Sequence, residues 1–143
     1  MTVKPIPEGY TAVTPYLIIR DPGAVIAFVK AAFGATVTDE HRDDDGRVRH
    51  ADVLIGGAHV MMGGADEKWP EQKGSILVYV PDVDATYTAA LAAGGTSVFE
   101  PKDQFYGDRS CGVLDPAGVT WWISTHVKDV SPEEMARGMK ASH

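Results

Sequence analysis

Residues 16–34 read Tyr-Leu-Ile-Ile-Arg-Asp-Pro-Gly-Ala-Val-Ile-Ala-Phe-Val-Lys-Ala-Ala-Phe-Gly, and the change of rhythm inside this stretch decides the fold. The run from Val13 to Arg20 is rich in β-branched and aromatic residues and predicts a strand. Asp21 then supplies a helix N-cap and Pro22 a first helical residue. Val25, Phe28, Val29, Ala32 and Phe33 recur on one face at helical spacing until Gly34 stops the helix. Three further strands follow, 35–42, 47–55 and 58–62, separated by the turns Asp43-Asp44-Asp45-Gly46 and Gly56-Gly57. The unit is therefore β-α-β-β-β, from about Val13 to Gly63.

Moving the sequence 61 positions along itself brings Asp21 onto Asp82, Gly34 onto Gly95, Gly46 onto Gly107 and Gly57 onto Gly118. Ala24, Ala31, Ala32 and Val37 also meet Ala85, Ala92, Ala93 and Val98. The helix cap, the helix stop and both turns thus recur, which predicts a second unit over 75–126. Its strands are expected at 75–80, 96–100, 109–114 and 119–124, and its helix at 83–93. Residues 64–74, with Trp69-Pro70, form the linker. Ser131-Pro132-Glu133-Glu134 is a capping-box pattern that predicts a C-terminal helix, with Met135 and Met139 to pack against the body or a partner chain. The expected organisation is one domain over 9–127, with modules at 13–63 and 75–126, and a helical tail over 128–143. The fold class is α+β, two tandem βαβββ modules whose strands curve as a mixed sheet around a shared cleft.

Composition narrows the function classes. The 143 residues are 44% hydrophobic and 23% charged, as in ordinary globular proteins. A net charge of −7 without a Lys/Arg cluster argues against nucleic acid as a partner. No apolar run approaches the roughly 20 residues of a membrane span, and Met1 to Pro7 lack the apolar centre of a secretory signal. Cys111 is the single cysteine, which excludes an intrachain disulfide and fits a reducing compartment. A cytoplasmic protein is expected, with no membrane partner.

The motif set resembles a known family. Val13-Thr-Pro-Tyr-Leu17, Phe33-Gly-Ala35, Gly46-Arg-Val-Arg-His-Ala-Asp52, Asp103-Gln-Phe-Tyr-Gly-Asp-Arg-Ser110, Asp115-Pro-Ala-Gly118 and Ser131-Pro-Glu-Glu-Met135 are similar to the vicinal oxygen chelate superfamily, the group of glyoxalases, bleomycin-resistance proteins and extradiol dioxygenases. The nearest resemblance is to its PhnB-like branch, over about residues 9–138. The resemblance implies the glyoxalase/bleomycin resistance fold, a homodimer that completes its clefts across the interface, and a divalent metal held by His, Glu or Gln at the start of each unit's first strand and on its last strand. The matching positions here are Thr14, Met61, Ser75 and Trp122. A hydroxyl pair, a thioether and an indole do not form a ligand set for such an ion. No metal of the family type and no cofactor is therefore expected.

The same positions assign strand faces, because side chains alternate. Tyr16, Ile18, His50, Asp52, Leu54, His59, Met61, Leu77, Tyr79, Arg109, Cys111, Val113, Thr120, Trp122 and Ser124 are expected to face the cleft. Leu17, Ile19, Val53, Ile55, Val60, Trp121 and Ile123 would pack beneath the helices. His50 and Asp52, two residues apart on one strand face, suit proton chemistry, with a locally hydrogen-bonded histidine as the plain alternative. Arg109 suits a clamp on a carboxylate or phosphate, or equally a structural ion pair with Asp108, Asp52 or Glu100. Tyr16, His59, Met61, Tyr79, Tyr106, Cys111 and Trp122 are the expected ligand contacts, although Tyr79 and Trp122 also read as aromatic filler, Cys111 as a small buried core residue, and His41 and His59 as solvent-facing near turns. Two functions compete. One is a binder of a small, planar or cationic molecule. The other is a lyase or isomerase on a small oxygenated substrate, with His50 as base and Arg109 as clamp, or with a metal on displaced ligands.

Overall fold

Asp21 accepts a hydrogen bond from the Ala24 N–H at 3.2 Å and Pro22 opens the first turn, so the helix α1 spans Pro22–Phe33. It ends at Gly34, whose φ of +66° turns its N–H back to the Lys30 carbonyl at 3.1 Å. A residue with a Cβ would lose about 1–2 kcal/mol in that left-handed conformation. Around this helix the first module places β1 (Tyr16–Ile19), β2 (Thr36–Arg42), β3 (Val48–Ile55) and β4 (Ala58–Gly64). The second repeats the order with β5 (Ser75–Tyr79), α2 (Val83–Ala92), β6 (Thr96–Asp103), β7 (Asp108–Leu114) and β8 (Thr120–His126). The computed structural model describes residues 3–142. Met1, Thr2 and His143, at the ends of the expected signal-free N-terminus and helical tail, lie outside the described residues.

The eight strands form two four-stranded sheets, one per module, ordered β1-β4-β3-β2 and β5-β8-β7-β6. In each, the first strand runs parallel to the last and the other pairs are antiparallel. Both helices and one face of each sheet share a single core. Leu17, Ile19, Ala51, Val53, Val60 and Met62 from the first sheet meet Val25, Phe28 and Val29 of α1, and Cys111, Val113, Trp121 and Ile123 join from the second. Trp121, fully buried, ties the modules together: its ring centroid lies 5.3 Å from Phe33 and 6.3 Å from Phe28. Burying large side chains of this kind stabilises a fold by about 1.5–3 kcal/mol each.

The repeat contains a hidden offset, and it corrects the face assignment of β7. Tyr16 pairs with Met61 and Leu77 with Trp122, 61 positions on, but Thr36 pairs with Leu54 and Thr96 with Leu114, 60 positions on. The second module loses one residue at the end of its helix, where Gly94 rather than Gly95 takes the left-handed conformation. It regains one in the β7–β8 turn, whose residues 115–119 replace the shorter 55–58. The hairpin between them is back at 61, with Arg42 paired to Val48 and Asp103 to Arg109, and β7 slips again because the residue that bulges from β3 at Arg49 has no counterpart in it, so along β7 every side chain takes the face opposite to the one expected. Cys111 pairs with Ile123 and Val113 with Trp121, which puts Arg109, Cys111 and Val113 on the helix-covered side and Ser110, Gly112 and Leu114 on the open side.

The last helix, α3 (Pro132–Ala141), carries the expected capping box: Ser131 and Glu134 exchange hydrogen bonds. It meets the body at Gly138, which lies against the Phe105 ring, while Met135 and Met139 remain exposed. Among the described residues no helix is long and apolar enough to cross a membrane.

Candidate functional site

Strand alternation leaves one face of each sheet uncovered by a helix. On the first sheet that face carries Tyr16 and Ile18 from β1, His59 and Met61 from β4, His50 and Asp52 from β3, and Asp39 and His41 from β2. Asp52 is only 2% exposed, and its partners explain how a carboxylate is tolerated there. His59 Nδ1 lies 2.9 Å from its Oδ1, and the Tyr10 hydroxyl donates to its Oδ2. The Tyr10 ring stacks on His59 at 3.8 Å between centroids and 14° between planes. Donation to Asp52 raises the Tyr10 phenol above its ordinary pKa. The segment before β1 thereby folds over the open face and, with Pro5, Ile6, Pro7, Thr14 and Met61, encloses a recess of about 250 Å³.

A recess of about 380 Å³ lies beside it. Its walls are Tyr16 and Ile18 and its floor Gly63 and Gly64, with Arg49, Asp66 and Trp69 at the rim. Gly63 matters here because a Cβ would stand 2.9 Å from the Tyr16 hydroxyl. Arg49 belongs to the helix-facing parity of β3, but a β-bulge redirects it: Arg42 pairs with Val48 while His41 pairs with His50. Its Nη2 donates to Asp66 Oδ2 at 3.2 Å, and Asp66 also accepts from the Trp69 N–H at 2.8 Å. These contacts, the Trp69 N–H first, hold the Asp66 carboxyl below its ordinary pKa. A further recess of about 280 Å³ lies between the modules, where His59 and Val60 face Ile76, Leu77 and Tyr79.

On the second sheet the Trp122 indole lies flat on Gly112, where a Cβ would approach Cζ3 to 2.8 Å, and its ring centroid is 6.2 Å from Phe99. Tyr79 donates to Asp108 Oδ2 at 2.9 Å, and His126 Nδ1 sits 2.8 Å from Asp108 Oδ1. Each module thus holds a buried aspartate between a tyrosine and a histidine, from different positions of the repeat. Tyr106 stands at the β6–β7 turn, edge-on to Phe105 at 5.2 Å.

Three expectations change. Arg109 does not face the open side: it grips Asp84 of α2 through Nε and Nη2 at 2.8 and 3.0 Å and reaches Asp103 at 3.3 Å, so it is an ion-pair residue, but with partners other than the expected Asp108, Asp52 or Glu100. Cys111 is enclosed in the core, where burial pushes its thiol up to about 11. His59 is nearly buried rather than solvent-facing, and it, not His50, partners Asp52. His50 instead has the Tyr16 ring at 6.0 Å and the His41 ring at 6.1 Å. Tyr10, Arg49, Asp66 and Trp69 were not legible as site residues. A bulge, a linker turn and an N-terminal contact leave no periodic mark in sequence.

The family's metal corners do not fit an ion in this chain. Met61 stands opposite Tyr16, Trp122 opposite Leu77 and Ser75 opposite Thr120, and Thr14 adds only a hydroxyl. Among the described residues one other group brings three donors close: Asp39, His41 and His50, whose ligand atoms lie within 4.8 Å of one another.

The Glyoxalase/Bleomycin resistance protein/Dioxygenase superfamily pattern matches residues 10–123. An uncharacterized protein of Mycobacterium bovis is 33% identical over 141 residues, which span 91% of this chain and 93% of that protein. A Mycobacterium tuberculosis protein shows the same identity over 83% of its own length. The crystal structure of TioX from a Micromonospora species superposes with a TM-score of 0.70 at 26% identity, covering 82% of this chain and 99% of TioX. A Burkholderia phytofirmans enzyme described as of the glyoxalase/bleomycin resistance protein/dioxygenase family gives 0.67 at 20% identity over 80% of this chain and 97% of that one, a likeness of fold.

Proposed function

Since the chain belongs to the glyoxalase/bleomycin resistance protein/dioxygenase superfamily, we propose that it binds a small planar organic acid in the 380 Å³ recess, without a metal at the family's corners. The observation that carries this reading is the lining itself. Trp69 and Tyr16 offer aromatic faces, the Tyr16 ring lies over Gly63, and Arg49 offers a planar fork. Its partner Asp66 is half exposed, so an incoming carboxylate competes with it for the guanidinium in water rather than in a dry core. The volume falls in the usual range of small-molecule sites. Its motifs place the chain, in our reading, on the PhnB-like branch, and a homodimer is the assembly we expect.

The lyase or isomerase reading rested on His50 beside Asp52. It is the weaker of the two, because Asp52 is engaged by Tyr10 and His59. The test is a calorimetric titration of the native protein with a panel of aromatic and aliphatic carboxylates. An aromatic acid should saturate, and Arg49→Ala and Trp69→Ala should each weaken it about 10-fold or more, the worth of one charged hydrogen bond or one stacked ring. Affinity unchanged in both variants, or no saturating acid in the panel, would overturn the proposal.

A further inference from the structure

We propose that Asp39, His41 and His50 form a binding site for one divalent transition-metal ion at the β2 edge of the first sheet, on the same open face as the corner residue Met61 but with β3 between them. Asp39 and His41 are two residues apart on an edge strand and project from one face; His50 is the cross-strand partner of His41. This register sets two imidazoles side by side, with ring centroids 6.1 Å apart, and a carboxylate next to them. His41 Nε2 already lies 3.0 Å from Asp39 Oδ2. All three ligand atoms fall within 4.8 Å of one another. Around an ion with bonds of about 2.0–2.2 Å, tetrahedral donors stand about 3.3–3.6 Å apart. Closing the remaining gap takes roughly 1 Å of side-chain rotation, and His41 and Asp39, at 67% and 52% side-chain exposure, have room for it.

The donor set selects the kind of ion. Two imidazoles and one carboxylate suit zinc, cobalt, nickel, copper or iron, whereas magnesium and calcium call for oxygen donors alone. Asp52 stands opposite Asp39 but is held by Tyr10 and His59, so it does not complete the sphere. Three protein ligands therefore leave at least one position to water or to a donor group of a bound molecule. Edge-strand placement gives the ion a path from solvent. The inference stands apart from the proposed acid-binding recess, since none of the three ligands lines it.

The test uses full-length protein stripped with a chelator and titrated with Zn²⁺ by calorimetry and with Co²⁺ by visible absorption. One equivalent per chain should bind, and Co²⁺ should give the intense ligand-field bands of a four- or five-coordinate nitrogen-oxygen site. His41→Gln and His50→Ala should each weaken Zn²⁺ by about 10-fold or more, the loss expected of even an outer-sphere partner. His126→Ala, which removes a histidine placed between Asp108 and Asp129, should leave affinity unchanged. Circular dichroism confirms that each variant is folded; His41→Gln lies on an exposed edge and keeps the measurement interpretable should His50→Ala disturb the sheet. Absence of saturable binding, or binding that survives His41→Gln and is lost with His126→Ala, overturns the assignment.

Discussion

Replacing Asp115 by alanine is the sharpest test of how the second module holds its strands in register. Asp115 begins the lengthened β7–β8 turn, and its buried carboxylate accepts three hydrogen bonds, from the N–H groups of Ala117 and Val119 and from Trp121 Nε1, each at 2.9 Å. The last of these fixes the indole that meets Phe28 and Phe33 of α1, so one side chain secures both the turn and the junction between modules. In Asp115→Ala the part-buried Ala117 N–H regains water. The Val119 N–H and the indole N–H stay buried without a partner, at about 1–3 kcal/mol each. The expected destabilisation is therefore about 3–5 kcal/mol. For a domain of this length roughly 3 °C of melting temperature accompanies each kcal/mol, which gives a fall of about 9–15 °C.

Urea and thermal unfolding of the native protein, Asp115→Ala, Asp115→Asn, Trp121→Phe and the double variant would measure it. Asparagine keeps one oxygen for the backbone donors but turns its amide hydrogens toward the indole N–H, so its cost should fall between native and alanine. Because Trp121→Phe removes the indole donor, the Asp115→Ala and Trp121→Phe effects should couple by about 1–3 kcal/mol. A loss below about 1 kcal/mol in Asp115→Ala, or strictly additive effects, would refute the claim that this carboxylate organises the turn.

Two further outcomes follow from the titrating groups. Cys111, with its thiol pushed up to about 11 by burial, should resist a thiol reagent at pH 8 in the folded protein and react promptly in urea; rapid labelling of the native state would contradict its enclosure in the core. His126 is raised above its ordinary 6.5, first by hydrogen bonding to Asp129 and then to Asp108. Its contribution to stability is then complete below about pH 6.5 and fades as pH rises through the folded-state value. In an NMR titration His126 should titrate above 6.5 and move back toward it in Asp129→Asn; a native value at or below 6.5 would remove the pH dependence.

The parts of the fold that sequence makes legible are those fixed by neighbours in the chain. Asp21 and Asp82 cap helices three residues away, and the left-handed glycines end turns within a few residues, so the tandem β-α-β-β-β plan can be read directly. The face of β7 could not, because the extra residue that bulges from β3 at Arg49 has no counterpart in β7 and the longer turn at 115–119 makes up the difference: the flanking markers Gly46/Gly107 and Gly57/Gly118 stay 61 apart while the strand between them slips by one. Site residues failed for a related reason. His50 and Asp52 do share a face, as their spacing requires, but Asp52 is claimed by Tyr10, forty-two residues away, and by His59. Arg49 reaches its recess only through a bulge that alternation does not encode.

That one-residue slip also bears on why the metal corners cannot be restored by single substitutions. With β7 displaced, Gly112 comes to lie opposite Trp122, and the indole settles on the bare backbone where any Cβ would meet it at 2.8 Å. Glycine and tryptophan here are one packing unit, backed by Phe99. Placing a glutamate at 122 would strip the aromatic cover from Gly112 and put a carboxylate beside Phe99. Met61, opposite Tyr16, would still offer only a thioether, and Thr14 and Ser75 only hydroxyls. The corner at Trp122 is thus held in place by packing on the second sheet, whereas His41 and Asp39 at the β2 edge of the first sheet are exposed and carry no comparable load.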